Sequence, residues 1–267
     1  MAEHYKLSTI QTTLDQGLLR VMLNRPERRN AVNDVMHHEL RTLFGLIADD
    51  EEVKAVVLTG AGKAFCAGGD FQTMGTANDK GGHADGHPGL MTEAAAMARN
   101  ILAVRQPMVA AVNGDAVGLG ATLALFCDIV LMAEGARIGD PHVNAGLVAG
   151  DGGPVLWPML VGMHRAKEYL LLGDLASAAE AERIGLVNYV VAPAELEGRA
   201  MAIARRLADG PSHAIRFNKR LVNKDLEERI NRLYDLSLAL EAITFETQDH
   251  KEAVKAFLEK RKPRFGQ

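Results

Sequence analysis

The chain is short of cysteine, of aromatic residues and of charge of either sign in excess. Its 267 residues include two cysteines, Cys66 and Cys127, and no CxxC pair. That supply offers neither a disulfide framework nor a structural zinc site, and it suits a reducing compartment. No stretch approaches the ~20 consecutive apolar residues that a membrane helix needs. The opening segment MAEHYKLSTI lacks the basic-then-apolar pattern of a signal peptide. The formal net charge is −4, without a long basic run, so the clustered Lys and Arg that contact nucleic-acid phosphates are missing. These absences predict a soluble, cytoplasmic protein with no nucleic-acid partner, no membrane segment and no metal.

Several catalytic signatures are missing too. There is no G-x-S-x-G nucleophile elbow. His38-Glu39 opens an HExxH pattern, but Thr42 stands where the second histidine belongs. Gly62-Lys63 is followed by Ala64, so it is not a P-loop. Gly114, Gly118 and Gly120 do not fit the dinucleotide fingerprint G-x-G-x-x-G.

Hydrophobic residues make up 48% of the chain and charged residues 24%, enough apolar side chain for a full core. The runs Leu7–Thr13 and Leu18–Leu23 flank a turn at Asp15-Gln16-Gly17 and read as a hairpin. Asn33 or Asp34 can cap a helix carrying Val35, Met36, Leu40, Leu43, Phe44 and Ile47. Val53–Thr59 and Pro107–Val112 read as short buried strands, Gly118–Phe126 as a helix and Ile129–Met132 as a third buried strand. Met91–Leu102 reads as a helix, and the polar, Gly-rich residues 75–89 before it as a flexible loop. This order predicts an α/β core of repeated strand-strand-helix units over residues 1–193. From about Ala194 the pattern turns helical, giving a C-terminal region over 194–267.

Two Gly-rich turns each follow a buried strand: Gly62–Asp70 (GKAFCAGGD) and Asn113–Asp128 (NGDAVGLGATLALFCD). Small residues let a ligand approach the backbone closely, and the start of a helix offers free N–H groups. Facing each other, such turns can form a backbone oxyanion hole. Each can equally serve only to close a strand-to-helix connection.

In this pair of turns, and in three further segments, the chain resembles the enoyl-CoA hydratase/isomerase (crotonase) family. LNRPERRNA (Leu23–Ala31), AFCAGGD (Ala64–Asp70), the Asn113-Gly114 to Cys127-Asp128 block, ARIGDPHVNAGLVAGDGG (Ala136–Gly153) and AFLEKRKPRF (Ala256–Phe265) are similar to its motifs in order. The resemblance implies a crotonase-like spiral with a helical C-terminal trimerisation region, assembled as a homotrimer or dimer of trimers. It implies a coenzyme A thioester as substrate, with no permanently bound cofactor. It places the oxyanion-hole N–H groups at Ala67 and Leu119. It puts Ala31, Ala64, Gly68, Gly69, Asp70, Phe71, Gly118 and Pro141 along the substrate. Arg25, Arg29 and Lys63 could meet the CoA phosphates or simply be solvated, and Lys260-Arg261-Lys262 reads as a solvated face, with a neighbouring subunit's CoA as the alternative partner.

The family's hydratases carry two catalytic glutamates. Counting along the motifs puts Thr122 and His142 in their places, so acid–base work falls to other groups. A histidine titrates near neutrality, and Asp151 lies in the same loop as His142. His142, Asp151 or both are the expected acid and base, with Thr122 positioning. The competing structural roles are a hydrogen-bonded loop histidine, an Asp151 that caps the next helix, and a Thr122 bonded back within its own helix. Cys66 reads as a small buried residue, Asp70 as a brace for the first turn, and His83 and His87 as exposed loop residues. The expected activity is an enoyl-CoA hydratase/isomerase-type lyase with altered acid–base residues. The alternatives are isomerisation or C–C bond hydrolysis by His142 and Asp151, and a non-catalytic acyl-CoA-binding or assembly protein.

Overall fold

A computed structural model describes residues 3–72 and 86–266. Strands β1 (Ile10–Asp15) and β2 (Leu18–Leu23) pair antiparallel, with Asp15 opposite Leu18. The two loop residues, Gln16 and Gly17, both have positive φ (48° and 82°), the backbone a tight twisted hairpin needs. The first strand starts at Ile10 rather than Leu7. The backbone N–H groups of Ser8 and Thr9 donate instead to the Glu39 carboxylate.

Asn33, not Asp34, caps helix α1 (Asp34–Asp49), its side chain accepting from the Met36 N–H at 3.0 Å. Met36, Leu40, Leu43, Phe44 and Ile47 are buried along the inner face, whereas Val35 falls outside that stripe and is 49% exposed. Strand β3 (Ala55–Gly60) lies parallel to β2 and is buried throughout. Helix α2 (Gly86–Ala103) begins before the expected Met91, so Gly86 to Gly89 belong to a helix and not to a loop. The rest of that expected loop, including His83, lies outside the described residues.

Next come β4 (Met108–Val112), β5 (Ala116–Val117), α3 (Leu119–Leu125), β6 (Ile129–Ala133) and β7 (Arg137–Gly139). They are followed by α4 (Gly153–Val161), α5 (Met163–Leu172), β8 (Ala176–Ser177), α6 (Ala178–Arg183) and β9 (Tyr189–Val191). The main sheet has the order β1-β2-β3-β4-β6-β9 and a smaller one the order β5-β7-β8. From β2 onward the main sheet is parallel, which is why its central strands read as unbroken apolar runs. Successive turns of chain visit the large sheet, then the small one, giving the α/β spiral. The last stretch is helical: α7 (Leu196–Ala208), α8 (Ser212–Val222), α9 (Lys224–Phe245) and α10 (Gln248–Leu258). No helix among the described residues is long and apolar enough to cross a membrane.

Asn30 fixes the first Gly-rich turn to this frame. It is fully buried in the left-handed region at φ 56°. Its amide donates to the carbonyls of Ala61 and Ala64 at 2.9 and 2.8 Å, and its Oδ1 accepts from the Arg25 N–H at 2.9 Å. Asn30→Ala leaves these buried groups unpaired and is expected to lower stability by roughly 1–3 kcal/mol. Urea denaturation measures this, and an unchanged midpoint would remove Asn30 from the framework.

Candidate active site

The two turns meet backbone to backbone. Val117 N–H donates to the Cys66 carbonyl at 2.9 Å. A Cβ on Gly120 would lie 2.4 Å from that same oxygen, and one on Gly68 would lie 2.8 Å from the Val117 carbonyl. Only glycine allows approach this close. Val32 N–H bonds the Gly68 carbonyl, and Asp70 N–H bonds the Val32 carbonyl.

Ala67, the expected donor on the first turn, is already engaged. Its N–H donates to the Arg29 carbonyl at 3.1 Å. Gly69 N–H, between the bonded Ala67 and Asp70, has no acceptor among the described backbone hydrogen bonds. On the second turn Gly118 N–H is bound to the Gly139 carbonyl. Leu119 follows as the first residue of α3, where an N–H has no intrahelical acceptor.

Beside these groups lies a buried acid–base cluster. Strand β7 ends at Gly139, and Asp140-Pro141 leads into a 3-10 turn, His142–Ala145. The Asp140 carboxylate is buried and accepts the His142 Nδ1–H. The other edge of the ring faces two more carboxyls. Nε2 is 3.7 Å from Asp151 Oδ2 and 3.8 Å from Glu241 Oε1. Thr122 Oγ1 donates to Asp151 Oδ1 at 3.3 Å. The ring rests on Gly118, where a Cβ would sit 3.3 Å from Cε1. His142, Asp151 and Thr122 are thus brought together next to Leu119. Asp151 does not cap α4; the capping position is Gly152, with no side-chain bond. One imidazole atom and two carboxylate oxygens of Asp140, His142 and Asp151 lie within 4.8 Å of one another. That is metal-ligand spacing, but Nδ1 is spent on Asp140, leaving Nε2 as the ring's one remaining ligand atom.

Asp140 and Glu241 were not picked out by the sequence reading. Glu241 arrives on α9, whose inner face also holds the loop before Gly152. Tyr234 Oη donates to the Asp151 carbonyl at 3.0 Å and Ser237 Oγ to the Gly150 carbonyl at 2.9 Å. Val148 N–H donates to Thr244 Oγ1 at 3.1 Å. Gly150 is required here, since a Cβ would fall 2.6 Å from the Glu241 Cβ and 2.9 Å from the Ser237 carbonyl oxygen. The spacing 234, 237, 241, 244 is one helix face, and it was the available signal.

Burial opposes charge on His142, but the Asp140, Asp151 and Glu241 carboxyls outweigh it and hold its pKa well above the ordinary value. Burial pushes Asp151 up to about 6, with Asp140 adding and His142 and Thr122 opposing. Burial likewise pushes Glu241 up to about 8 against the pull of His142. Near neutrality the imidazole is therefore protonated, Asp151 largely ionised and Glu241 largely neutral. Cys66, pushed by burial up to about 12, is an inert thiol.

The remaining candidates divide. Arg25 is not an open anion site. Both its terminal nitrogens lie 3.1 Å from Asp70 Oδ2, and Nη1 also reaches the Ala31 carbonyl. Arg25, Ala31 and Asp70 form a brace behind the turn, and Asp70 Oδ1 also accepts the Gln72 N–H at 3.1 Å. The Ala64 carbonyl is spent on Asn30. Arg29 and Lys63 have exposed side chains. Phe71 stacks on Phe257 of α10 at 4.6 Å. Arg261 is paired with Glu252 and Glu259. The side chain of His87 lies outside the described residues.

A spiral of parallel strands, closed by C-terminal helices around paired glycine turns and a buried acid–base cluster, defines a crotonase-type α/β protein. The sequence profile of the enoyl-CoA hydratase/isomerase family matches residues 13–267, and the chain belongs to that family. It is 38% identical over 247 residues to a short-chain-enoyl-CoA hydratase of Clostridium acetobutylicum, covering 91% of each chain. The structure matches an enoyl-CoA hydratase/isomerase from Mycobacterium paratuberculosis with a TM-score of 0.89 at 39% identity, covering 94% of this chain and 99% of that one. It also matches a β-diketone hydrolase from Anabaena, bound to (S)-3-oxocyclohexyl acetic acid, with a TM-score of 0.81 at 30% identity, covering 90% and 94%.

The cluster's proton balance sets a stability signature. Glu241 keeps its proton in the folded chain from its ordinary 4.5 up to about 8, a range in which the unfolded chain has lost it. Asp151 does so from 3.8 to about 6, and His142 does so above 6.5. Unfolding releases these protons, so they make stability fall as pH rises through this window. The unfolding free energy from urea titrations should decline less between about pH 5 and about pH 8 in Glu241→Gln than in the parent. Identical slopes would contradict the assignment.

Proposed function

We propose that the chain is an acyl-CoA-processing enzyme of the enoyl-CoA hydratase/isomerase type that works through a thioester enolate. The observation that carries this reading is the His142–Asp151–Thr122 cluster seated on Gly118 beside the Gly69 and Leu119 N–H groups. A thioester carbonyl gains negative charge as it becomes an enolate, and donors aimed at it matter most in that state. Gly69 takes the place expected for Ala67. One such donor typically contributes roughly 2.7–4 kcal/mol to the transition state.

The acid–base steps follow from the charge states. The Asp151 carboxylate takes a proton from a water held with Thr122, and the hydroxyl adds to the β-carbon of an enoyl thioester. The enolate that forms is protonated at the α-carbon by Nε2–H of the His142 imidazolium. The proton on Asp151 then returns to His142 across 3.7 Å. Asp140 keeps the ring oriented. Neither usual glutamate is needed. Arg29 and Lys63 are the cations best exposed to receive CoA phosphates. Exposed Leu236, Leu240 and Ile243 on α9, with Phe217 and Leu221 on α8, support assembly as a homotrimer or dimer of trimers. A cytoplasmic location fits the scarcity of cysteine.

A second reading, C–C bond hydrolysis of a β-diketone, is favoured by the likeness to the Anabaena hydrolase. There Asp151 would activate water toward a carbonyl carbon, and His142 would protonate the released enolate.

Turnover of a panel of enoyl-CoA thioesters and cyclic 1,3-diketones, with product masses, tests both readings. Hydration adds one water to a thioester, isomerisation adds none, and diketone hydrolysis yields a ring-opened acid from a substrate without CoA. His142→Ala and Asp151→Asn should each lower kcat by roughly 100-fold or more. The rate should rise with pH through about 6 as Asp151 ionises. Full activity in His142→Ala, or binding of thioesters without turnover, overturns the mechanism.

A further inference from the structure

Glu241 is the one member of the cluster that the reaction steps above do not use. It is 6% exposed, yet its carboxyl has no hydrogen-bond donor among the described residues and points at the His142 ring from 3.8 Å. It is held in place rather than left there by chance. Gly150 gives it room, and Ser237 and Tyr234, on the same face of α9, bond the carbonyls of Gly150 and Asp151.

We propose that Glu241 is a positioning residue of the active site, which acts through His142 by holding the Nε2 edge of the ring toward Asp151 and sustaining its protonated state at alkaline pH. The role rests on His142 being the proton donor of the proposed reaction, but its first readout does not require turnover.

The groups that surround the imidazole define what Glu241 can do. Asp140, at the end of β7, binds Nδ1. Asp151 faces Nε2, with Thr122 of α3 behind it. Tyr234 of α9 is held neutral by burial, as is the Cys66 thiol on the first turn. No cation other than His142 makes an ion pair with these carboxyls among the described residues. Glu241 is therefore the group whose ionisation adds a second anion at Nε2. A neutral Glu241 leaves the imidazolium free to give its proton to substrate. An ionised one binds that proton more tightly and extends the protonated range upward.

Opposite charge at this distance raises a base's pKa by roughly 1–3 units. In Glu241→Gln, which keeps size and polarity but cannot ionise, the His142 pKa should fall by about one unit or more. Imidazole nitrogen shifts in the substrate-free protein, labelled with ¹⁵N-histidine and assigned with His142→Gln, report this directly. Glu241→Asp keeps the charge on a shorter arm and should fall between the two. The alkaline limb of the kcat/KM profile should move down in parallel, with KM little changed. An unchanged His142 titration in Glu241→Gln, with native circular dichroism, overturns the proposal whatever the enzyme's substrate is. Loss of turnover without a titration change would mark Glu241 as structural only. A shifted titration in a chain that turns over no thioester or diketone would leave Glu241's hold on His142 standing and sink the proposed reaction instead.

Discussion

Among the described residues, Asp140, Asp151 and Glu241 share a single cation, the His142 imidazolium, in a space from which water is largely excluded. Three carboxylates cannot all ionise around one positive charge in such surroundings. The result is a graded set of protonation states around the ring: an Asp151 poised just below neutrality and a Glu241 that stays neutral through it. Burial and shared charge thus keep a proton-donating and a proton-accepting group side by side at the same pH.

The fold exists to hold that arrangement still. Parallel strands bring two glycine turns into backbone contact, and the absence of side chains at Gly68, Gly118 and Gly120 sets the spacing. Asn30 and the Arg25–Asp70 pair brace the first turn from behind. On the far side, α9 pins the loop carrying Asp151 through its backbone carbonyls. Tyr234, Ser237 and Glu241 of α9 thus face inward to the site, while Leu236, Leu240 and Ile243 face outward.

Much of this was legible in the sequence. The hairpin, α1 with its cap, the central buried strands and the two turns follow from local periodicity and turn chemistry, whereas the strands' parallel pairing emerged from the fold. His142, Asp151 and Thr122 emerged because fixed motif spacing exposed what replaced the glutamates. The misses have physical causes. The N–H of Ala67 is spent on Arg29, a pairing between segments far apart in the chain that no local pattern reveals. Arg25 looked like a free cation because its partner Asp70 is equally distant in sequence. Glu241 lay hidden in a helix rich in charge, where only the tertiary fold separates one buried glutamate from its solvated neighbours.

The path of α9 has a consequence for how the protein is made. Tyr234 and Ser237 lie 83 and 87 residues beyond the Asp151 and Gly150 carbonyls they bond. The hold on the loop that carries Asp151 can therefore form only after α9 has been synthesised. In the proposed reaction, a chain cut before α9 would lack both that hold and the Glu241 carboxyl beside His142.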